Sequence, residues 1–233
     1  PISLDYVASL DPVCLKWPSG ELTNWPLLRQ AKALGLPIML STGMGSLREI
    51  AAAVDLLGPD AELIILQCVS NYPARIEDQN LRVLPVMQAA FGCPVGFSDH
   101  TIGPYAALAA KALGMSVLEK HFTLDCTMEG PDHTASTEPQ NFTSMISLLR
   151  QIEAGLGDGV KRPLPGEENV RSVARKSLVY RHDLPAGHVL QEDDLIGKRP
   201  GHGVDVDRME LFVGRSLVQD VTLDQMLEPK DVK

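Results

Sequence analysis

Cysteine is scarce in this chain of 233 residues. Only Cys14, Cys68, Cys93 and Cys126 are present, far apart and with no C-x-x-C pair. That excludes a disulfide scaffold and reads as reduced thiols in a cytoplasmic protein. Positive charge is also short: 21 Lys and Arg stand against 30 Asp and Glu, a net charge of −9. Such a surface repels phosphate backbones, and no local basic patch offsets it, so nucleic acid is not an expected partner. No apolar run approaches the roughly 20 residues of a membrane span. The first residues, Pro1 to Leu10, lack a basic stretch followed by an apolar one, so they do not read as a signal peptide. Asn141-Phe142-Thr143 fits the glycosylation pattern, by chance in a cytoplasmic chain. What remains is ordinary globular composition, 44% hydrophobic and 22% charged, which excludes disorder and collagen-like classes.

Short β-branched or apolar runs alternate with helical stretches. The runs are Val13–Trp17, Pro37–Ser41, Leu63–Val69, Val95–Ser98 and Val117–Phe122. The helical stretches are about Trp25–Leu34, Ser46–Leu57, Asp78–Phe91, Pro104–Leu113 and Glu138–Leu156. Ser46 with Glu49 predicts a capping box, and Gly35, Gly58, Gly92 and Gly114 stand where helices should stop. Pro85 predicts a kink in the third helix. Nearly continuous apolar runs mark parallel strands buried on both faces. Five strand–helix units without a hairpin signal mean a parallel α/β sheet. A (β/α)8 barrel needs eight units, and Asp5–Leu10 resembles the tail of a helix whose strand is absent. The sheet is therefore either open or a TIM barrel lacking about its first three units.

Residues 1–156 form this first domain. A Gly- and Pro-containing linker follows, taken as 157–171, where apolar periodicity ends. Beyond it, Lys176–Tyr180, Gly187–Val189, Gly197–Pro200 and Gly214–Val221 are short, turn-rich β-like pieces. They predict a small, mostly-β domain over 172–233.

In a parallel barrel the chemistry sits at the C-terminal ends of the strands. Those ends carry Lys16 to Glu21, Ser41 to Gly45, Cys68 to Pro73, Phe97 to Thr101, and Glu119 to Thr123. A long loop after the fifth adds Gly130 to His133. All five ends are polar, small or ionisable, and the opposite ends show no such concentration. Lys16, Ser19, Ser41, Ser70, Asn71 and Ser98 together suit a phosphate or carboxylate, although any single serine equally suits a βα turn.

His100 and His121 close consecutive strands, which lie about 4.8 Å apart in a sheet, so both imidazoles can reach one divalent ion. On spacing alone, plain hydrogen-bonding histidines fit as well. Strand alternation puts Glu119 on the side of His121 and Lys120 on the other, where it reads as a salt-bridging lysine. Lys16 also fits a Schiff-base nucleophile of the aldolase type.

Taken together, these motifs resemble the sialic acid synthase family, which includes N-acetylneuraminate and legionaminate synthases. Lys16-Trp17-Pro18-Ser19-Gly20-Glu21, Ser41-Thr42-Gly43-Met44, Cys68 to Pro73, Phe97 to Thr101, Glu119 to Thr123 and Gly130 to His133 carry the likeness. Arg175-Lys176-Ser177-Leu178 and Lys198-Arg199-Pro200-Gly201 resemble the family's antifreeze-like (SAF) domain.

The resemblance implies condensation of phosphoenolpyruvate with an N-acetylmannosamine-type sugar to a nine-carbon 2-keto acid, with release of phosphate. It implies that Lys16, Ser19, Ser41, Ser70 or Asn71, and Ser98 hold phosphoenolpyruvate. His100 and His121 would hold manganese or magnesium as a Lewis acid for the aldehyde. Glu21, Tyr72 and Asp132 stand where the family handles the sugar and its protons, and Arg199 where an arginine reaches the partner's site in a domain-swapped homodimer. It also turns Lys16 toward anion binding, since the family uses no Schiff base.

Family members begin with further strands that carry an acidic catalytic residue and another substrate-binding lysine. The chain reads as a member without that first third, which leaves its own activity an open question. Three readings stand: the synthase, a Schiff-base aldolase or other phosphoenolpyruvate-using barrel enzyme, and a non-catalytic assembly protein carrying a SAF domain. Asp132-His133-Thr134 leans toward the neuraminate and legionaminate branches over the pseudaminate branch.

Overall fold

The computed structural model describes residues 2–233, and the chain divides into two compact units at Gly159/Val160. The first opens with helix α1, Ile2–Ser9, and continues as five strand–helix units. The strands are β1 (Leu15–Trp17), β2 (Ile38–Ser41), β3 (Leu63–Cys68), β4 (Val95–Asp99) and β5 (Leu118–Lys120). They pair in parallel in simple sequential order. The helices after them are α2 (Trp25–Ala33), α3 (Leu47–Leu57), α4 (Val83–Phe91), α5 (Tyr105–Ala112) and α6 (Pro139–Leu156).

The sequence explains these elements locally. Every residue of β4 is buried, as suits a strand covered on both faces. Ser46 caps α3 in a capping box with Glu49, and Ile50, Ala53 and Leu57 face the core. Helix α5 packs through Ala106, Ala107 and Ala110. Gly96 in β4 has no room for a side chain, because a Cβ there would stand 2.5 Å from Leu66 and 2.6 Å from the Val117 carbonyl oxygen.

The third helix starts later than expected, at Val83, so Pro85 does not interrupt its interior. Ile76–Asp78 is a 3-10 turn, and Asn80 takes a positive φ of 45° before α4 begins at Val83. Pro85 therefore lies in the first turn, where its missing N–H removes no helical hydrogen bond.

The sheet is strongly curved. Lys16 on β1 and Glu119 on β5 come from its two edge strands, yet their side chains form an ion pair at 3.4 Å. The five strands thus form a parallel half-barrel whose inner face is lined by both edges.

The second unit, Val160–Lys233, starts with helix α7, Glu168–Ala174. That helix begins inside the stretch 157–171 read as linker. An antiparallel pair follows, β6 (Ser177–Tyr180) with β7 (Leu195–Lys198). Single bridges such as Leu184 to Val221 and Val189 to Ser216 extend it into a thin β framework. Leu178, Tyr180, Leu190, Leu195, Leu217 and Leu227 form its core. The Tyr180 hydroxyl donates to buried Asp231 at 3.2 Å, and burial with that carboxylate beside it pushes the phenol pKa far up. Among the described residues no helix is long and apolar enough to cross a membrane.

Candidate active site

Parallel strands deliver their C-terminal residues to one end of the sheet, and there the half-barrel opens into a cleft of about 610 Å³. Lys16, at the middle of β1, points inside it and donates to the Ser41 hydroxyl at the end of β2, 2.7 Å away. Its second partner, Glu119, also accepts from the Ser98 hydroxyl at 2.6 Å. A belt of two hydrogen bonds and one ion pair therefore runs Ser41–Lys16–Glu119–Ser98 across the curve.

Beside this belt the backbone N–H of Gly43 donates to the Ser19 hydroxyl at 2.9 Å. A Cβ on Gly43 would stand 2.2 Å from the Ser70 hydroxyl and 2.9 Å from that of Ser19. Only glycine lets the two serines close around this backbone. Hydroxyls and an ammonium converging on one side of the concavity suit a small, multiply charged anion.

The histidines lie next to the belt. The His100 and His121 ring centroids are 5.2 Å apart, with the planes at 73°. His100 Nδ1 is 2.8 Å from the Val69 carbonyl oxygen. A carbonyl only accepts, so Nδ1 carries the hydrogen, and in the neutral ring Nε2 keeps its lone pair. This is how a ligating imidazole is oriented, with its second nitrogen fixed by an outer partner.

Among the described residues no third His, Cys, Asp or Glu joins them in a metal-holding group. Two imidazoles alone do not make a closed, four-ligand structural metal site. Burial pushes the His100 pKa down, but contact with the Cys68 sulfur and the Val69 carbonyl outweighs it, and the net shift is upward. Burial likewise raises the Cys68 thiol, while hydrogen bonds from His100 and Ser19 bring it below the usual value.

Tyr72 covers the pair, its ring 4.2 Å from His100 and 5.5 Å from His121. Its phenol is raised, first by partial burial and then by the negative charges of Cys68, Asp132 and Glu119.

The expected residues divide. Lys16, Ser19, Ser41, Ser70, Tyr72, Ser98, His100 and His121 line one cleft. Asn71, Glu21 and Asp132 are not part of its lining. The Glu21 carboxylate accepts from Asn24 at 2.5 Å, the residue that caps α2. Asn71 is exposed on the loop after β3, and exposed Asp132 reaches the site only through its charge on Tyr72. Arg199 lies in the second unit, exposed, with Nε donating to the Ala174 carbonyl at 3.0 Å.

Three further residues shape the site beyond those expected from the sequence: Glu119, Cys68 and Gly43. All three stand in the motifs quoted above, and Glu119 has the further signal of lying two positions before His121 on the same strand face. The salt-bridging role read for Lys120 is seen directly, with its ammonium 2.8 Å from Asp99.

Comparison with known proteins follows the same division. The sequence profile of the NeuB family matches residues 2–161, and that of the SAF domain matches 175–233. The N,N'-diacetyllegionaminic acid synthase of Campylobacter jejuni is 39% identical over 229 residues, covering 97% of this chain and 69% of that enzyme. A pseudaminic acid synthase of the same species is 30% identical over 232 residues, covering 99% of this chain and 67% of that protein. Among solved structures, the N-acetylneuraminic acid synthetase of Leptospira borgpetersenii, in complex with citrate, superposes with a TM-score of 0.68. It is 33% identical, and the match covers 72% of this chain and 59% of that one.

Proposed function

The chain belongs to the NeuB family and carries a SAF domain, and from that premise we propose that it condenses phosphoenolpyruvate with an N-acetylmannosamine-type sugar. The product is a nine-carbon 2-keto sugar acid. One water is consumed and inorganic phosphate leaves. The observation that carries the reading is the convergence in one cleft of Lys16, four serine hydroxyls and the His100–His121 pair, delivered by all five strands.

Lys16 supplies positive charge to phosphoenolpyruvate, and Ser19, Ser41, Ser70 and Ser98 supply hydroxyls, with Asn71 at the rim. His100 and His121 hold a manganese or magnesium ion, which when bound polarises the sugar aldehyde as a Lewis acid. Tyr72 covers the imidazoles and excludes water from that side. Glu21 and Asp132 act on the sugar and its protons only after their side chains turn toward the cleft.

The anion role suits Lys16, whose two partners, a hydroxyl and a carboxylate, each take an ammonium hydrogen or its charge. A Schiff base needs that nitrogen's lone pair, so the aldolase reading stands second. The greater identity to the legionaminic than to the pseudaminic acid synthase supports an acceptor of the legionaminate or neuraminate type.

In this proposal the enzyme works in the cytoplasm as a homodimer, and Arg199 completes the site of a second copy. A guanidinium presents fixed donors suited to an amide or hydroxyl oxygen. Mixing an Arg199-defective copy with a His121-defective copy tests the exchange. Transfer in trans leaves one intact site per mixed dimer and restores activity. No recovery in demonstrated heterodimers rules it out.

The primary test is phosphate release from phosphoenolpyruvate, dependent on sugar and abolished by a chelator, with the keto acid identified by mass spectrometry. Borohydride trapping of a covalent adduct at Lys16 would establish the aldolase instead. Dimerisation without turnover would favour a binding or assembly role.

A further inference from the structure

The register of β4 and β5 places Ser98 opposite Glu119 and Asp99 opposite Lys120. The next step along both strands is His100 and His121. Successive side chains alternate between faces, so the Ser98–Glu119 rung and the His100 and His121 rings face the cleft. The Asp99 and Lys120 side chains are shut off from solvent, although Lys120 also contributes to the cleft lining. The ladder ends at the Asp99–Lys120 rung. Beyond it the backbones take different partners: the His100 carbonyl accepts from Ala74 N–H and the His121 carbonyl from Thr137 N–H, each at 2.9 Å. The two imidazoles therefore meet just past the last backbone pairing of their strands.

The rung that ends the ladder is an ion pair shut off from solvent. Lys120 Nζ is 2.8 Å from Asp99 Oδ2, and the side chains are 1% and 0% exposed. The same ammonium donates to the Thr101 carbonyl at 2.7 Å. Asp99 Oδ1 accepts from the Thr101 N–H at 2.8 Å and from its hydroxyl at 2.7 Å. One ammonium, carried by the residue before His121, thus ties down both neighbours of His100. A buried ion pair contributes little to stability, since desolvation offsets the attraction and apolar replacements often do as well. What it supplies here is a fixed distance between two strand ends that no longer pair through their backbones.

We propose that Asp99 and Lys120 are positioning residues that set the His100–His121 spacing for a shared divalent ion. The proposal rests on the metal reading above, and its test keeps the two apart. Mn2+ binding is measured by electron paramagnetic resonance of the free ion, and phosphoenolpyruvate binding by calorimetry on metal-free protein. His121→Ala tests the reading itself: unchanged Mn2+ affinity there means that the imidazoles hold no metal.

With that established, Lys120→Met should weaken Mn2+ binding by up to about tenfold, the lower end of the range for losing a direct outer partner of a ligating histidine. The lower end applies because Lys120 acts on the rings only through Asp99 and Thr101. Phosphoenolpyruvate affinity, which depends on Lys16 and the serines, should stay within about twofold. A purely structural role predicts the two affinities falling together with thermal stability, and that outcome overturns the proposal. So does unchanged Mn2+ affinity in folded Lys120→Met. If the single variant fails to fold, Asp99→Leu with Lys120→Met removes both charges and replaces them with apolar volume. That pair must show the same selective loss of Mn2+ binding, and normal affinity in it also overturns the proposal.

Discussion

Each unit of the protein contains a histidine pair, and the two pairs are used in opposite ways. In the half-barrel, His100 gives its Nδ1 hydrogen to a backbone carbonyl and keeps Nε2 open beside His121. In the second unit, His182 and His188 both turn Nε2 to one carboxylate, Asp194, at 3.2 and 2.7 Å. Asp194 also accepts from the Gln191 N–H at 2.8 Å and is nearly buried. The second pair is thus engaged by the fold, joining the end of β6 to the turn before β7. The first is left with an open lone pair facing a cleft. The difference lies in which acceptor reaches the ring first, not in the residue type.

Exchanging the lesions sharpens this contrast most. His121→Ala should abolish metal-dependent turnover, a larger effect than the roughly 10–100-fold cost of losing an outer partner. Its thermal unfolding should match the wild type. His188→Ala should do the reverse, lowering the unfolding temperature and leaving phosphoenolpyruvate binding intact. Equal loss of turnover in both would erase the distinction.

Within the cleft, Lys16→Ala removes a charge-assisted contact worth about 1.5–3 kcal/mol, so phosphoenolpyruvate should bind roughly ten- to a hundredfold more weakly. Sugar affinity should barely change. Gly43→Ala should weaken the same ligand, because the added methyl lies 2.2 Å from the Ser70 hydroxyl. Calorimetric titration of both variants decides whether the serines and Lys16 serve one anion. Full affinity in Gly43→Ala would separate Ser19 and Ser70 from that site.

In the second unit the comparable lesion is Asp194→Ala. It leaves the Gln191 N–H and two imidazoles without their acceptor, at a cost of about 2 kcal/mol in folding stability. Ligand binding in the half-barrel should be unaffected. Denaturant midpoints and calorimetry on one preparation test both halves of that statement.

The strands and helices of the half-barrel were legible because periodicity and caps are local. Ser46 with Glu49 announced α3 as plainly as the structure shows it. Pro85 misled because a proline ends or starts a helix according to the backbone before it, and the turn at Asn80 leaves no pattern in the hydrophobic residues. Helix α7 was hidden by the Gly and Pro around it. At the cleft, alternation separated Glu119 from Lys120, since faces follow from parity alone. The contact of Glu119 with Lys16 was not legible, because it depends on the curvature that brings the two edge strands together. Nor was the direction of Glu21, which is settled by Asn24 three residues away.

The smallest expected effect is a pH dependence, and it follows from Asp194. Near-burial pushes its pKa up, but the Gln191 N–H and the hydrogen bonds from His188 and His182 outweigh that, and the net shift is downward. A carboxyl lowered in the folded state stabilises the fold above its unfolded value, about 3.9, and loses that contribution as pH falls through the folded value. The second unit should therefore weaken below about pH 4, where unfolded chains bind a proton that folded ones resist. Other carboxylates, among them Glu49 and Glu153, are lowered as well. A simple acid titration of the wild type therefore does not isolate Asp194. The difference between wild type and Asp194→Asn does, because asparagine keeps an acceptor oxygen and cannot titrate. Urea midpoints for the two at pH 6, 5, 4 and 3 should differ most at pH 6 and converge toward pH 3. Parallel curves would mean that the two imidazoles and the Gln191 N–H do not hold Asp194 below its ordinary value. His182 and His188 would then be surface residues near a carboxylate, and the contrast with His100 and His121 would reduce to exposure alone.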